Sequence, residues 1–374
     1  MHNRVKVPPT SFHLKEGTLI ERLPQCTLLF SEQDQQIHEL NETSAVIAAR
    51  LVEGATRKEL LRALESEGVE PETAGRWIEA FLEETSRSGL LEAQLAQPAG
   101  PAAVRHIRLN GRCFSLRYGS PALENLVSPA FAHLEKGDGE AGEEFTLTCE
   151  GDLVFIATGN GLASVFPLAS AAVRMKGLIL ERILAGSGHL AALHSACLVR
   201  DETAVLLLGS PGAGKTTLSI ALMGEGFGYG SDDVTLVMAD GTVEGVPLAP
   251  GLKEGAWELA MGDRPDLSAV AVHVRPDGEK VRYLPLENQE LAGPSRVGAV
   301  IRLRRSGKHS PALEPVSVRE GLAELFRESR SADGKCSTAT MQALARLVRG
   351  ARFLELRYSD SAEAALFLSE RIAP

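Results

Sequence analysis

Alternating and helically spaced apolar residues divide the first 94 residues into short strands and three helices. Residues 27–30 and 36–40 alternate apolar and polar positions, which predicts two short strands. Apolar residues then recur at helical spacing after Asn41, Thr56 and Pro71, each a favourable residue at a helix start. This order predicts a small α+β winged helix-turn-helix domain.

A stretch rich in alanine, proline and glycine over residues 95–103 separates this domain from the rest of the chain. It has two prolines and no apolar period, which is typical of a linker. The pattern predicts mainly strands over residues 104–170 and a helix with one apolar face over residues 171–185. A continuous apolar run at 205–208 predicts a buried strand of a mostly parallel sheet, so residues 104–374 are expected to form an α/β domain.

Composition and charge exclude several classes of protein. The 374 residues are 44% hydrophobic and 24% charged, as is usual for globular proteins. A formal net charge of −10 argues against general nucleic-acid binding, which neutralises phosphates with lysine and arginine. The predicted third helix is acidic too, so the small domain is expected to bind a peptide and not DNA. A basic run of Arg302, Arg304, Arg305 and Lys308 is best explained as a solvated strand end.

The cysteines and the chain ends predict a cytoplasmic protein that is not in a membrane. Five scattered cysteines without a C-x-x-C pair indicate neither a disulfide framework nor a zinc site. The N-terminus lacks the apolar segment of a signal peptide, and no apolar run approaches the roughly 20 residues of a membrane helix.

The strongest chemical signal is the motif G-x-x-x-x-G-K-T, which follows the run at 205–208 and precedes a predicted helix. Its glycines let backbone amides surround a β-phosphate, and the helix N-terminus adds a positive dipole end. Lys215 is expected to reach the β- and γ-phosphates, and Thr216 to ligate Mg²⁺ beside ATP or another nucleoside triphosphate. The predicted nucleotide-binding residues are Gly209, Ser210, Pro211, Gly212, Ala213, Gly214, Lys215, Thr216 and Thr217.

Two adjacent carboxylates, Asp232 and Asp233, lie at a predicted strand entrance beyond this helix. One carboxylate can hold a metal ion, and the other can accept a proton from an attacking hydroxyl. Adjacent strand residues point to opposite faces, so both reach one site only if the chain bends, for which residues 229–231 are the candidate. Taken alone, the pair is more typical of an exposed turn.

The order of a histidine strand at 193–199, the phosphate loop and the segment Gly226-Phe…Ser231-Asp-Asp-Val234 resembles the HPr kinase family over residues 190–238. The resemblance implies a P-loop kinase domain and is compatible with a homo-oligomer. The longer acidic, arginine-bearing segment that follows the aspartates in HPr-directed enzymes is not found. Phosphatase activity, and HPr itself as the substrate, therefore stay open.

The resemblance also implies roles for single residues. His194 would lie near the transferred phosphate, Asp232 would be the catalytic base, and Asp233 would assist with Mg²⁺, although the two aspartates can exchange roles. Lys253 is a candidate for contact with phosphate or acceptor, and a solvated loop lysine is an equal alternative. An arginine from the basic run can stabilise transition-state charge, but nothing selects which one.

The segment Leu40-Asn-Glu-Thr-Ser44, the Thr56…Glu59 turn and the closing Gly89-Leu-Leu91 resemble the PqqD family over residues 11–92. That family includes the RiPP recognition elements, which hold the leader segment of a ribosomally made precursor peptide. The resemblance implies that a leader adds a strand to the exposed edge at 34–39 and is clamped by the third helix. The candidate contacts are Gln36, Ile37, His38, Glu39 and Trp77.

Together the two resemblances predict a kinase that phosphorylates a serine or threonine of a precursor peptide held by its leader. The linker would then act as a tether between the leader site and the ATP site. Two alternatives are a regulatory protein serine kinase that recognises a folded partner, and an ATP-driven switch that phosphorylates nothing.

Overall fold

The computed structural model is a mixed α/β structure. The predictions for Lys308, Asp34 and linker residues 96–99 lie outside the described part of the chain. The described residues are 9–32, 35–95, 100–136, 142–159, 162–186, 188–258, 265–286, 291–305, 307, 310–330 and 336–372.

The N-terminal part contains the predicted strands and helices together with strands β1, β2 and β5, which the apolar pattern does not predict. Its elements are β1 (Pro9–Leu14), β2 (Thr18–Arg22), β3 (Thr27–Ser31), β4 (Gln36–Leu40), α1 (Glu42–Glu53), α2 (Arg57–Ser66), α3 (Pro71–Arg87) and β5 (Leu91–Leu95). The predicted helix starts are confirmed. Asn41 caps α1, Thr56 and Glu59 form the capping box of α2, and Pro71 opens α3.

Strands β2, β3 and β4 form a small antiparallel sheet in that order. Leu19, Phe30 and Ile37 stand opposite one another across the three strands. Among the described residues, β4 pairs only with β3, so its outer edge is available for another strand.

The middle part confirms the strands and the helix predicted after the linker. Its elements are β6 (Ala103–Leu109), β7 (Arg112–Tyr118), α4 (Pro121–Val127), β8 (Glu143–Glu150), β9 (Leu153–Ala157), β10 (Leu162–Pro167) and α5 (Ala171–Gly186). One sheet runs β1-β5-β10-β9-β8-β7-β6, so β1 and β5 join it from the other side of the proposed division at residue 94.

The apolar core of the N-terminal part also crosses this division. The buried side chains of Phe12 and Leu82 belong to the same cluster as Phe155 and Val165 of β9 and β10. The rings of Phe12 and Phe155 lie 6.2 Å apart. The two parts are therefore packed on each other, whatever the boundary of their domains.

The C-terminal part contains seventeen described strands and helices. They are β11 (Ala191–His194), β12 (Ala196–Arg200), β13 (Thr203–Leu208), α6 (Lys215–Gly224), β14 (Gly228–Ser231), β15 (Val234–Val237), β16 (Val243–Gly245), β17 (Gly251–Lys253), β18 (His273–Val274), β19 (Lys280–Tyr283), β20 (Arg296–Arg305), β21 (Ala312–Pro315), α7 (Val318–Glu328), β22 (Ser329–Arg330), α8 (Thr338–Gly350), β23 (Arg352–Tyr358) and α9 (Ser361–Arg371). One sheet has the order β14-β12-β13-β20-β23-β21. Its pairs β13–β20 and β20–β23 are parallel, whereas β12–β13, β12–β14 and β21–β23 are antiparallel, so the prediction of a mostly parallel sheet is wrong. A short turn connects β12 to β13, and such a turn joins antiparallel strands.

All five cysteines are free thiols in the structure. Within the described ranges, no helix combines the length and the apolar character needed to cross a bilayer.

Candidate functional site

The phosphate motif lies in the strand–loop–helix context that its sequence predicts. Strand β13 ends at Leu208, and α6 begins at Lys215. Gly212 and Gly214 adopt φ of +85° and +92°, a region that favours glycine over other residues. The hydroxyl of Tyr358 donates to the carbonyl of Ala213 at 2.7 Å, which fixes the loop against β23.

The side chains at the start of α6 point toward the loop and the first aspartate. Lys215 is buried, and its Nζ donates to the carbonyl oxygen of Gly209 at 2.6 Å. The hydroxyl of Thr216 donates to Oδ2 of Asp232 at 3.0 Å. On the other side, the hydroxyl of Tyr229 lies 3.1 Å from Oδ1 of Asp232. Asp232 is therefore held between the phosphate loop and the sheet.

Both aspartates face one cavity because the chain bends at the aspartates themselves. The predicted irregularity at residues 229–231 is present as well: β14 shifts its register against β12 between Tyr229 and Ser231, and Asp232 and Asp233 then form the turn into β15. Leaving the strand geometry at these two positions removes the alternation that would send their side chains to opposite faces. Asp232 is buried, whereas Asp233 is exposed to the cavity.

The predicted histidine strand is interrupted at Ser195. Residues before it form β11 and residues after it form β12, in two different sheets, so a single strand over 193–199 is wrong. His194 ends β11 and contacts two carboxylates: Nε2 lies 3.2 Å from Oδ1 of Asp233, and Nδ1 lies 3.3 Å from Oε2 of Glu328. The residue order Glu328, His194, Asp233 forms a hydrogen-bonded chain that leads into the cavity.

Burial and hydrogen bonding set the charge states of these groups. Burial raises the pKa of Asp232 above its ordinary value, against the opposing effect of Lys176. The hydrogen bond from His194 lowers the pKa of Asp233, and the same bond raises the pKa of His194. Asp233 is thus the carboxylate that stays ionised most readily, and His194 favours its charged form.

A cavity of about 740 Å³ connects these groups. It is lined by the phosphate loop, by both aspartates and by four cationic side chains, Lys176, Lys253, Arg275 and Arg305. Among the three described arginines of the basic run, Arg305 lines the cavity, whereas Arg302 and Arg304 form ion pairs with Glu355. Of these three arginines, Arg305 is thus the one that borders the cavity, and its Nε also donates to the carbonyl of Ser359 at 3.2 Å.

Lys253 also lines the cavity, and its Nζ lies 2.7 Å from Oε2 of Glu279. Lys176 and Glu328 were not predicted from the sequence. Lys176 projects from α5, where its Nζ donates to the carbonyl of Ala249 at 2.5 Å and lies 4.2 Å from the centroid of the Tyr283 ring. The sequence offers one signal for Lys176, which is a lysine within the apolar-faced segment 171–185. It offers no signal for Glu328.

A second cavity of about 740 Å³ lies between β4 and α3. Ile37, His38, Glu39 and Trp77 line it, as predicted for a peptide contact, whereas Gln36 is not among its lining residues. Ile37 is 65% exposed and Trp77 44% exposed, so apolar surface is left uncovered next to the open edge of β4. We call this cavity the β4–α3 groove.

The family described as coenzyme PQQ synthesis protein D (PqqD) matches residues 26–91. Residues 26–91 form a PqqD-like domain. The β4–α3 groove belongs to this PqqD-like domain, which is a RiPP recognition element. No curated protein matches the chain.

Two solved structures resemble parts of the chain. One is TbiB1 in complex with the TbiA(beta) leader peptide, at 21% identity, covering 21% of this chain and 93% of that chain with a TM-score of 0.20. The other is the Hpr(Ser) kinase/phosphatase from Coxiella burnetii, at 13% identity, covering 48% of this chain and 91% of that chain with a TM-score of 0.23. At these TM-scores neither resemblance supports a conclusion about this chain.

Proposed function

We propose that the chain is an ATP-dependent kinase that phosphorylates a serine or threonine of a ribosomally synthesised precursor peptide, whose leader binds the PqqD-like domain. The observation that supports this most is the convergence of Lys215, Thr216, Asp232 and Asp233 on one cavity. A phosphate loop and two carboxylates of different exposure are the parts that phosphoryl transfer to a hydroxyl requires.

The residues at the start of α6 fit a magnesium ion. The Thr216 hydroxyl and the Asp232 carboxylate are hard oxygen donors 3.0 Å apart, and Mg²⁺ in kinases is held by one or two such groups together with phosphates. Bound there, Mg²⁺ would neutralise negative charge on the β- and γ-phosphates.

The geometry favours Asp233 as the base and Asp232 as the metal-side carboxylate, the exchange of roles that the family resemblance left open. Asp232 is buried and already bonded to Thr216, so a peptide hydroxyl reaches it less easily. Asp233 is exposed to the cavity and oriented by His194, so a hydroxyl that enters the cavity can come within hydrogen-bond reach of it, although its lowered pKa makes it the weaker proton acceptor of the two. The acceptor oxygen bonds to the γ-phosphorus, the bond to the ADP oxygen breaks, and the hydroxyl proton passes to Asp233.

Cationic side chains supply the charge that the transferred phosphoryl group requires. Lys215 belongs to the loop. Burial lowers the pKa of Lys176, while Asp232 and Asp233 favour its charged form, and that charge in turn favours the ionised forms of both aspartates. We propose that the charge of Lys176 offsets the repulsion between the two ionised carboxylates, because two like charges this close disfavour each other's ionised form. Arg275 and Arg305, which line the same cavity, are the candidates for contact with the γ-phosphate oxygens.

The leader is proposed to bind in the β4–α3 groove. Its backbone would pair with the open edge of β4, and an apolar side chain would cover Ile37 and Trp77. The strands that flank the PqqD-like domain, β1 and β5, join the sheet of β9 and β10, and the domain shares a core with residues 153–165. The groove is therefore proposed to hold a fixed position relative to the rest of the chain and not to move on the predicted linker.

Intact-mass spectrometry tests the proposal. The protein is incubated with ATP, Mg²⁺ and short peptides encoded beside its gene, and Lys215→Ala is the control. A peptide that gains the mass of one phosphate only with the active protein and only with its leader intact supports the proposal. Equal phosphorylation of a leaderless substrate favours the regulatory kinase, and ATP consumption with every peptide unchanged favours the ATP-driven switch.

A further inference from the structure

Helix α5 lies between the β4–α3 groove and the phosphate cavity. At one side, Nη2 of Arg174 donates to the carbonyl of Arg87 at 2.6 Å, at the end of α3. Ser88 and Leu90, just beyond Arg87, line the groove. At the other side, Val173 lines the phosphate cavity. Two neighbouring residues of α5 therefore reach the two sites: Arg174 contacts the end of α3 beside the groove, and Val173 lines the phosphate cavity.

One face of α5 forms a wall of the phosphate cavity. Val173, Lys176, Gly177 and Leu180 recur at helical spacing and all line it. The face is about 10 Å long at 1.5 Å per residue, which about three residues of an extended peptide would cover. The face therefore has the length of a short peptide segment.

Gly177 has no packing reason to be a glycine. It lies inside α5, where glycine is less favourable than alanine, and its backbone needs no left-handed conformation. A Cβ added there would meet nothing within 4 Å. The effect of glycine at this position is therefore to leave room in the cavity, next to Lys176.

This wall faces the acceptor side of the cavity. Lys176 interacts electrostatically with both aspartates, and Val234, which follows Asp233, also lines the cavity. The carboxylates must face the acceptor hydroxyl if one of them takes its proton, so the wall beside them faces the acceptor as well. Val234 accepts a backbone hydrogen bond from Val246 at 2.9 Å, and Val246 also lines the cavity, so aliphatic side chains lie beside the charged groups on this side.

We propose that the precursor peptide leaves the β4–α3 groove beside Ser88 and Leu90, runs along the Val173–Leu180 face of α5, and places its acceptor hydroxyl at Asp233 with an apolar neighbour against this face. The inference rests on the proposed kinase function. It adds the path of the peptide and the chemistry of the acceptor segment. That segment is extended, passes α5 in the space left at Gly177, and has an apolar residue beside the acceptor hydroxyl.

The test is the Gly177→Leu variant of the full chain, assayed with ATP, Mg²⁺ and the precursor peptide that the wild-type protein phosphorylates. Leucine at this position fills the wall, so kcat/KM for the peptide is expected to fall at least about tenfold, while KM for ATP changes less than about twofold. Gly75→Leu is the matched control, because Gly75 is also an interior helix glycine with nothing within 4 Å of an added Cβ and does not line the groove.

The Gly177→Ala variant is the control for a folding defect. Alanine favours the helix, so its melting temperature is expected to equal or exceed that of the wild type, while kcat/KM for the peptide still falls. Unchanged peptide kinetics in both Gly177 variants would overturn the path along α5. An equal rise in KM for ATP would overturn it too, and would assign this wall to the nucleotide. If the wild-type protein modifies no peptide, the kinase proposal itself fails and this inference with it.

Discussion

The hydroxyl of Thr216 donates a hydrogen bond to Asp232, 3.0 Å away and sixteen residues further along the chain. This bond ties the first turn of α6 to the turn between β14 and β15. It leaves Asp233, the next residue, free to point into the cavity toward His194. The backbone turn therefore makes the two adjacent carboxylates differ in exposure and in hydrogen-bond partner.

Asp233→Asn is expected to lower kcat for phosphoryl transfer by about 10²–10⁴-fold, because an amide accepts no proton from the hydroxyl, while nucleotide binding persists. Asp232→Asn is expected to raise the Mg²⁺ concentration needed for half-maximal activity. Steady-state kinetics across a Mg²⁺ titration separate the two effects. A loss of transfer in Asp232→Asn with unchanged Mg²⁺ dependence would restore the roles that the family resemblance implies.

Structural features that depend on neighbouring residues could be predicted from the sequence, and features that depend on distant residues could not. The capping box of Thr56 and Glu59 and the glycine loop before Lys215 depend on residues within a few positions, so their patterns determine them. The break at Ser195 is set by which sheet each side joins, and no neighbouring residue signals it. Glu328 contacts His194 from 134 residues away, so only the folded chain brings it to the site.

Lys176→Met is expected to lower kcat by about 10²-fold with little change in KM for the peptide. Methionine keeps the length and the apolar stem but removes the positive charge that faces both aspartates. Lys58→Met, on the exposed surface of α2, is the control and should match the wild type. Wild-type turnover in Lys176→Met would show that the charge has no part in transfer.

Ile37→Asp is expected to raise KM for the peptide roughly tenfold, equal to about 1.4 kcal/mol, and to spare ATP turnover. Ile37 lines the β4–α3 groove, where a bound leader would bury the new charge. Leu19→Asp is a close control, because Leu19 lies in the same cross-strand row at the opposite edge of the sheet and is also exposed. Equal effects of the two variants would point to damage of the sheet and not to a peptide site.

Phe12→Ala is expected to destabilise the whole chain by about 3–5 kcal/mol and to shift a single thermal transition. The Phe12 ring lies 6.2 Å from that of Phe155, across the division predicted at residue 94, and both side chains are buried in one core. Differential scanning calorimetry measures the transition. Two transitions, of which the variant shifts only one, would show that the PqqD-like domain unfolds independently.

The length of peptide between leader and acceptor is expected to have a sharp lower limit. A leader site on a flexible linker would make activity fall slowly and smoothly with spacer length, roughly as its −3/2 power. Here β5 pairs with β10, and Arg174 of α5 holds the end of α3, so the groove and the phosphate cavity keep one separation.

When the peptide spacer is shorter than this separation, the acceptor cannot reach Asp233 while the leader is bound. Mass spectrometry of peptides shortened one residue at a time should show phosphorylation lost within one or two deletions, whereas Gly-Ser insertions reduce it only gradually. A gradual decline on shortening would indicate that the PqqD-like domain moves relative to the rest of the chain.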